Sequence, residues 1–372
     1  MQEENRRVTI KDIAEEIGVS TATVSNVIHG KTKKISDRTV AKVQEKLQES
    51  GYIPNMAAVL LAQNSSKIVC VMLSNHEKYE GKMLEDPFVA QMLNSISKEL
   101  SEYGYFMMIK EEADVEKIAA YASMWNMAGL ILMGYCSLDY EKLRSKMHIP
   151  FVVVDSYDRN IKSYIDIGVD NIEGGRLAGK YLLSKGHRKI LYFADNKEDC
   201  DLDRYNGLKD AFNASCSSLG GLSKREETLN KLSRTVYEPV YYLVGMDKKN
   251  RQEDYSKILT TIREEGITAV FAASDYYAIE FIRFLLAKGV KVPEEVSVIG
   301  FDNIPLGEQI YPALTTISQN IPLRGKMSVA MLHNLVENMG ECGSVLLPVE
   351  LIERESVARN RKTADGPCVE QY

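Results

Sequence analysis

The chain has 372 residues, of which 45% are hydrophobic and 26% charged, so it can bury the cores of two or three domains. Its formal net charge of −6 at pH 7 gives no general attraction to nucleic acid. No apolar run approaches the roughly 18 residues of a membrane span, and the first ten residues, MQEENRRVTI, lack a signal-peptide core. We therefore expect a cytoplasmic protein that does not enter membranes. The six cysteines have no metal-ligand spacing, which predicts reduced thiols and no metal site.

Charge is distributed unevenly along the chain. Residues 1–66 contain nine Lys or Arg and eight Asp or Glu, whereas the rest contains 37 basic and 44 acidic residues. Without the first five residues, the same segment has nine basic against six acidic residues. This weak basic bias at one end of the chain permits DNA binding there.

Residues 9–30 predict two short helices joined by a tight turn. Thr9 and Asp12 have capping-box spacing, and Gly18 can take the left-handed conformation that ends a helix. Ser20 can cap the second helix, VSTATVSNVIHG, which is built from poor helix formers. Tertiary packing of an apolar face has to stabilise such a helix. The residues expected to face inward are Val24, Val27 and Ile28.

A third helix, predicted from Ser36 to Gly51, would complete a helix-turn-helix unit. The outward side chains of the second helix are short and mostly polar, which suits close approach to base edges and phosphates in a major groove. A solvated surface helix in a generic three-helix domain is the alternative. The outward residues are Thr21, Ala22, Ser25, Asn26 and His29.

Pro54 begins a short segment, NMAAVLLA, that is unusually apolar for a linker. An apolar helix outside any core needs a partner. The partner would be a second copy of the chain, a DNA minor groove into which an apolar side chain is wedged, or the following domain.

In combination, VTIKDIAEEIGVSTATVSNVIHG and YIPNMAAVLLA resemble the DNA-binding headpiece and hinge helix of the lactose-repressor (LacI/GalR) family. The resemblance covers roughly residues 8–358. It implies an all-α helix-turn-helix headpiece at 1–51, a hinge helix and linker at 52–66, an effector-binding core at 67–360 and a polar tail at 361–372. The DNA contacts that it implies are Thr9, Ser20, Thr21, Ala22, Thr23, Ser25, Asn26, His29, Asn55 and Leu61.

Three positions depart from the family pattern. Asn26 stands where many members carry arginine, His29 where they carry asparagine, and Val59 where they carry the hinge arginine. Because asparagine prefers adenine, we expect a different half-site. Residues 214–256 also match the family poorly, which puts the ligand contacts usually found there in doubt.

Short β-branched runs alternate with amphipathic helical patterns through the rest of the chain, which predicts parallel sheets with right-handed crossovers. The number of strands suggests two lobes, and ligands of open α/β sheets bind beyond the carboxyl ends of the strands. The predicted strands are 67–73, 105–109, 129–134, 150–155, 189–194, 269–274 and 296–302.

The resemblance implies a core like a periplasmic sugar-binding protein, an α/β fold of two doubly wound parallel-sheet lobes joined by three crossings. It places lobe one at about 67–165 and 298–325, and lobe two at about 166–297 and 326–358. Family positions also imply ligand contacts in the cleft. These are Phe88, Asp155, Arg204, Asp275, Asp302 and Gln319.

Each cleft candidate has a structural alternative. Asp155 ends a predicted strand and Asp275 follows one, and Asp275 is also placed to cap a helix. Arg204 offers a fork of donors to a polyol or carboxylate, or it forms a surface ion pair. Phe88 stacks on a ligand ring or packs in a core. Asp302 and Gln319 are weaker candidates, since both can be turn or hinge residues.

The leading hypothesis is a sequence-specific transcriptional regulator, a repressor that binds a near-palindromic operator in double-stranded DNA as a homodimer. A small molecule in the cleft, sugar-like by family default, would control DNA affinity. The absence of an apolar heptad tail after Arg359 favours a dimer over a tetramer. The alternative is a cytoplasmic solute-binding or sensor protein whose N-terminal helices contact only proteins. No nucleophile elbow, dinucleotide fingerprint, P-loop or zinc-protease motif occurs, so we expect neither an enzyme with catalytic residues nor a cofactor.

Overall fold

A computed structural model describes residues 8–53, 66–135, 138–156, 164–217, 238–339 and 343–360. The chain divides into two compact units, one ending at Ser65 and the other beginning at Ser66. The predicted hinge helix, with Asn55 and Leu61, and the predicted tail lie outside the described residues.

The first unit, which we call the headpiece, is a three-helix domain. A capping hydroxyl precedes each helix, and the predicted capping box of Thr9 and Asp12 is present. Gly18 ends the first helix at φ 72°. Ile13 and Val24 are fully buried with Val43 in a small apolar core, so the predicted helix-turn-helix unit is confirmed. The helices are α1 (Ile10–Ile17), α2 (Thr21–Ile28) and α3 (Asp37–Glu49).

The second unit, the core, contains two six-stranded sheets. In the first sheet every strand pair is parallel, in the order β11-β5-β4-β3-β1-β2. Its strands are β1 (Ile68–Leu73), β2 (Phe106–Glu111), β3 (Gly129–Met133), β4 (Phe151–Val154), β5 (Ile165–Val169) and β11 (Val345–Leu347).

The second sheet has the order β12-β10-β9-β8-β6-β7, and its edge strand β12 runs antiparallel to β10. The other pairs are parallel. Its strands are β6 (Ile190–Ala194), β7 (Val240–Leu243), β8 (Ala269–Ala272), β9 (Ser297–Asp302), β10 (Thr315–Ser318) and β12 (Glu350–Ile352).

Helices cover both faces of each sheet, which gives two doubly wound lobes as predicted. Those of lobe one are α4 (Pro87–Glu102), α5 (Val115–Met124), α6 (Tyr140–Lys146) and α12 (Ile321–Val336). The remaining helices are α7 (Asn171–Ser184), α8 (Asp199–Ser217), α9 (Lys248–Glu265), α10 (Asp275–Ala287) and the short α11 (Leu306–Gln309).

The predicted lobe boundaries are wrong in the last third of the chain. Residues 298–325 were assigned to lobe one, but β9 and β10 lie in the second sheet. Residues 326–358 were assigned to lobe two, but α12 packs on α4 and β11 pairs with β5. The reason is packing: Val329 and Leu332 of α12 are buried in the core of lobe one. The chain crosses between sheets after β5, after β10 and after β11, which gives the three crossings expected.

Candidate functional site

The exposed face of α2 is the candidate DNA-binding surface. Val24 and Val27 are buried against α1 and α3, whereas Thr21, Ala22 and Asn26 are exposed. Ser25 and His29 are half-buried beside them. The face predicted from the spacing of the apolar residues is therefore the face that the fold leaves open, and most of its side chains are short and polar.

Three predicted DNA-contacting hydroxyls also hold the helix ends. Ser20 Oγ accepts the Thr23 backbone N–H at 3.1 Å and lies 2.9 Å from the Thr23 hydroxyl. Thr9 accepts the Asp12 N–H and donates its hydroxyl to Asp12 Oδ2 at 2.7 Å. These side chains fix where α1 and α2 begin, so their replacement would disturb the surface as well as its contacts.

A basic loop lies between α2 and α3, and it was missed among the sequence-predicted contacts. Its cationic side chains are exposed, and no carboxylate is interspersed among the first three. The run GKTKK gave a usable signal, because closely spaced exposed cations next to a groove-reading helix suit phosphate contacts. The basic loop consists of Lys31, Lys33 and Lys34, and Arg38 in the first turn of α3 adds a fourth exposed cation beside it.

A cavity of about 400 Å³ lies between the two lobes, at the carboxyl ends of the strands. Gly134 follows β3 and Asp155 follows β4 on one side, while Asp195 follows β6 and Ala273 follows β8 on the other. The structure brings five sequence-predicted ligand residues together in this interlobe cavity. They are Phe88, Asp155, Arg204, Asp302 and Gln319.

Arg204 is built into the wall of the interlobe cavity and is only 7% exposed. Its Nε donates to Asn171 Oδ1 at 2.9 Å, and one terminal nitrogen donates to the Ala273 carbonyl oxygen at 2.6 Å. The guanidinium lies 3.8 Å from the centre of the Phe301 ring. It also pairs with Asp201 at 3.5 Å, but this ion pair is buried, unlike the surface pair considered from the sequence.

A chain of polar contacts joins the lobes beneath the cavity. Arg324, which is fully buried, lies 2.6 Å from Asp155 Oδ2 and donates to the Gln319 side-chain oxygen. Gln319 in turn donates to Asp302 Oδ1 at 2.5 Å. The Arg324 guanidinium lies 5.9 Å from the Phe88 ring centre. Asp155, Gln319 and Asp302 therefore have internal partners as well as access to the cavity.

Asp275 does not line the interlobe cavity, which corrects the expectation that its carboxylate faces a ligand. It is fully buried, accepting the Ile304 N–H at 3.0 Å and the Thr316 hydroxyl at 2.5 Å. The alternative is also wrong, because Ser274 caps α10. Asp275 instead ties the loop after β9 to β10.

Burial raises the pKa of carboxyl groups in the cavity lining and of Asp275 behind it. It raises the pKa of Asp302 to about 7, and it raises the pKa of Asp275 well above its usual value. The charge of Asp302 also raises the pKa of Asp275, so the two groups do not both ionise readily at neutral pH. Burial also raises the pKa of Asp201 to about 6, although the Arg204 charge opposes this.

Several cavity residues were not singled out from the sequence, because they come from loops without periodic patterning. Asp195 accepts the Tyr277 hydroxyl at 2.5 Å and the Asn196 amide at 2.7 Å. Lys78 lines the opposite side, from the loop after β1. Across the whole lining, seven carboxyl groups face four lysine and arginine side chains, which gives the cavity an acidic balance. The carboxyl residues are Glu80, Glu85, Asp86, Asp155, Asp195, Asp201 and Asp302.

Three family models match the chain. Residues 9–55 match the bacterial regulatory proteins of the lacI family. Residues 79–219 match the periplasmic binding proteins and sugar binding domain of the LacI family, and residues 180–357 match a periplasmic binding protein-like domain. Together these matches cover both units of the chain.

Known proteins resemble the chain over nearly its whole length. The HTH-type transcriptional repressor PurR of Edwardsiella ictaluri is 31% identical, over 97% of this chain and 98% of that protein. Among solved structures, the lac repressor dimer bound to operator and the anti-inducer ONPF has a TM-score of 0.76 at 24% identity, covering 95% of this chain and 100% of that one. The CelR–cellobiose complex has a TM-score of 0.63 at 24% identity, covering 94% and 100%. At these identities the solved structures establish a shared fold.

Within the described ranges, none of the helices has the length and apolar character needed to span a membrane. The same residues contain no cluster of three or more His, Cys, Asp or Glu side chains arranged to hold a metal ion.

Proposed function

Because this chain belongs to the lacI family of bacterial regulatory proteins, we propose that it is a sequence-specific DNA-binding transcriptional regulator, acting as a repressor under small-molecule control. The resemblance drawn from its sequence is thereby confirmed. The observation that carries the proposal is the open face of α2, where Thr21, Ala22 and Asn26 are exposed above a buried apolar core.

In the DNA complex, α2 enters the major groove and the basic loop contacts phosphates on either side of it. Two chains bind as a homodimer, so that two headpieces meet the two half-sites of a near-palindromic operator. Contacts to bases come from the exposed part of α2, and Leu61 of each chain enters the central minor groove. Thr9 and Ser20 add phosphate contacts while they cap α1 and α2, and Thr23 adds another beside Ser20. Ser25, His29 and Asn55 make the remaining DNA contacts.

The effector binds in the interlobe cavity. Arg204, Asp155 and Asp302 face it with polar groups, and Phe88 supplies an apolar wall. A sugar suits this mixture of aromatic and polar groups, as in the CelR relative solved with cellobiose. Because both lobes line the cavity, a bound ligand stabilises one arrangement of the lobes and thereby changes operator affinity. The protein works in the cytoplasm, without a cofactor.

Selection from a random double-stranded DNA library, with the full chain as bait, tests the proposal. We expect enrichment of a near-palindromic sequence. In a gel shift on that sequence, Asn26→Ala and Thr21→Ala should each weaken binding at least about 10-fold, since each good base contact contributes about 1–3 kcal/mol. Leu61→Ala should weaken it as well.

Gln44→Ala serves as the matched control, because Gln44 is exposed on α3 rather than on α2. Its affinity should equal that of the unaltered chain. Thermal melting of all variants separates lost contacts from lost folding. Selection that enriches no sequence would contradict the proposal and favour a sensor whose headpiece contacts only proteins.

A further inference from the structure

Arg324 is fully buried in the first turn of α12, just after the chain crosses from lobe two to lobe one. One terminal nitrogen lies 2.6 Å from Asp155 Oδ2 and donates to the Ile167 carbonyl oxygen at 3.4 Å, both in lobe one. The other donates to Gln319 in the crossing, which donates in turn to Asp302 of lobe two. We call Asp155, Arg324, Gln319 and Asp302 the contact chain. The Arg324 guanidinium lies within it and joins one lobe to the other.

The stability of lobe one gives no reason for an arginine at position 324. Removing a guanidinium from water costs free energy, which its contacts offset only when they are complete. Among the described residues, Arg324 Nε has no hydrogen-bond partner, so one buried donor stays unsatisfied. An apolar side chain would fill much of the same space without that cost. The link between the lobes is what an apolar side chain would not provide.

The backbone along the contact chain is strained. Asp155 has φ 59°, Asp302 has φ 124°, and Asn320, next to Gln319, has φ 46°. Aspartate and asparagine tolerate positive φ better than most residues, but the conformation still costs free energy and persists only where surrounding contacts hold it. Strain is therefore present at both ends of the contact chain and at its crossing. Release of the contacts would let this part of the chain relax toward another arrangement of the lobes.

We propose that Arg324 is a positioning residue that holds the two lobes in one arrangement, and that operator affinity depends on its contacts. The second half of this inference rests on the proposed function, whereas the first half does not. A rotation of lobe two against lobe one has to separate Asp302 and Gln319 from Arg324, or Arg324 from Asp155. Either separation leaves a buried charge or donor unpaired, which opposes the rotation.

Arg251 provides a matched control, because it is a buried arginine whose contacts stay within one lobe. It is 1% exposed, and its Nε donates to Glu280 Oε2 at 2.9 Å, so that α9 and α10 of lobe two are joined. Arg251→Leu and Arg324→Leu therefore each remove a buried ion pair from the core. Only the second change removes a contact between lobes. Denaturant unfolding of both variants gives their loss of stability for comparison.

Amide hydrogen exchange of the full chain, without added ligand, tests the effect on the lobes. The reporter is the crossing after β11, residues 347–350, because none of these residues is among the Arg324 partners named above. Arg324→Leu should speed exchange of peptides covering 347–350 at least about 10-fold, since freer lobes open this crossing more often. Arg251→Leu should leave their exchange within about 2-fold of the unaltered chain.

A double variant, Arg324→Leu with Asp155→Asn, covers the case in which the single variant fails to fold. It removes both charges of the pair, so no uncompensated charge stays buried. Its peptides covering 347–350 should also exchange at least about 10-fold faster than those of the unaltered chain. Exchange at this crossing that is unchanged, or equal to that of Arg251→Leu, would overturn the proposal.

A gel shift on the selected operator tests the effect on DNA binding. Arg324→Leu should change operator affinity at least about 5-fold, because it shifts the equilibrium between lobe arrangements that differ in affinity. Arg251→Leu should stay within about 2-fold of the unaltered chain. Unchanged affinity of Arg324→Leu would overturn the role of Arg324 in regulation while leaving the proposed function intact. A chain that selects no operator loses the proposed function, and hydrogen exchange then decides the role of Arg324 alone.

Discussion

Gly175 in α7 passes so close to Arg204 in α8 that a Cβ atom built on Gly175 would lie 1.9 Å from the Arg204 carbonyl oxygen. Gly207 makes the reciprocal approach, with its Cβ position 1.9 Å from the carbonyl oxygen of Ile172. Two helix backbones therefore touch where Arg204 is held against the cavity. The position of its guanidinium depends on two residues that have no side chain.

Replacing Gly175 with alanine should force α7 and α8 apart. We expect Gly175→Ala to lower the free energy of unfolding by about 3 kcal/mol, since the added methyl group meets backbone rather than a flexible side chain. Denaturant unfolding measures this. Gly343→Ala is the matched control, because nothing lies within 4 Å of the Cβ position there. Equal stability of the two variants would refute the close approach.

Removal of the Asp275 carboxyl should lower the free energy of unfolding, because this group does not line the cavity. Asp275→Ala leaves the Ile304 N–H and the Thr316 hydroxyl without their buried acceptor, which costs about 3 kcal/mol. Urea denaturation should report that loss. The control, Asp210→Ala, removes a carboxylate whose side chain is 54% exposed and should change stability by less than about 1 kcal/mol.

His187 should make the core less stable in mild acid. Its ring nitrogens lie 2.9 Å from the Thr268 hydroxyl and 3.0 Å from the Ala358 carbonyl oxygen, and burial lowers its pKa to about 4. The unfolded chain, with an ordinary pKa of 6.5, takes up the proton first, so stability is complete above pH 6.5 and falls as pH decreases toward 4. The loss amounts to about 2 kcal/mol at pH 5.

Denaturation of the His187→Gln variant at pH 8 and pH 5 measures this contribution. The stability difference between the two pH values should shrink by about 2 kcal/mol relative to the unaltered chain. His148 is exposed, so His148→Gln should retain the full difference. A His187→Gln variant with the same pH dependence as the unaltered chain would contradict the assignment.

The basic loop should contribute to operator affinity without reading sequence. Lys33→Ala and Lys34→Ala should each reduce the slope of log affinity against log salt by about 1, because each removes one phosphate contact. Their effect should be similar on operator and on random DNA, whereas Asn26→Ala should act mainly on the operator. Gel shifts across a salt series measure both, and an unchanged slope would place the loop away from the phosphates.

The headpiece could be predicted from sequence because its signals are local. The cap at Thr9, the end at Gly18 and the inward spacing of Val24 and Val27 all lie within one helical turn of the features that they determine. The lobe boundaries could not be predicted, because Leu332 of α12 packs on a sheet most of whose strands lie far away in sequence. Nothing in the local pattern near residue 320 indicates to which sheet the chain returns.

The cavity was only partly predictable for a related reason. Asp155 follows β4 and Asp302 is the last residue of β9, so their place at a carboxyl edge could be inferred. Asp275 has the same signal, yet the loop after β9 folds over it and takes its hydrogen bonds. Lys78 comes from the irregular loop after β1, so its place in the cavity lining could not be inferred from a periodic pattern.

The three crossings have a consequence for synthesis on the ribosome. Lobe one has most of its strands by Val169, but its helix α12 and its edge strand β11 arrive after nearly all of lobe two. Until then the faces that bury Val329 and Leu332 are uncovered, so the nascent first lobe has to remain incomplete while the second is made. A fragment that stops before Ile321 would display an open apolar face, and neither lobe can be excised as one continuous piece.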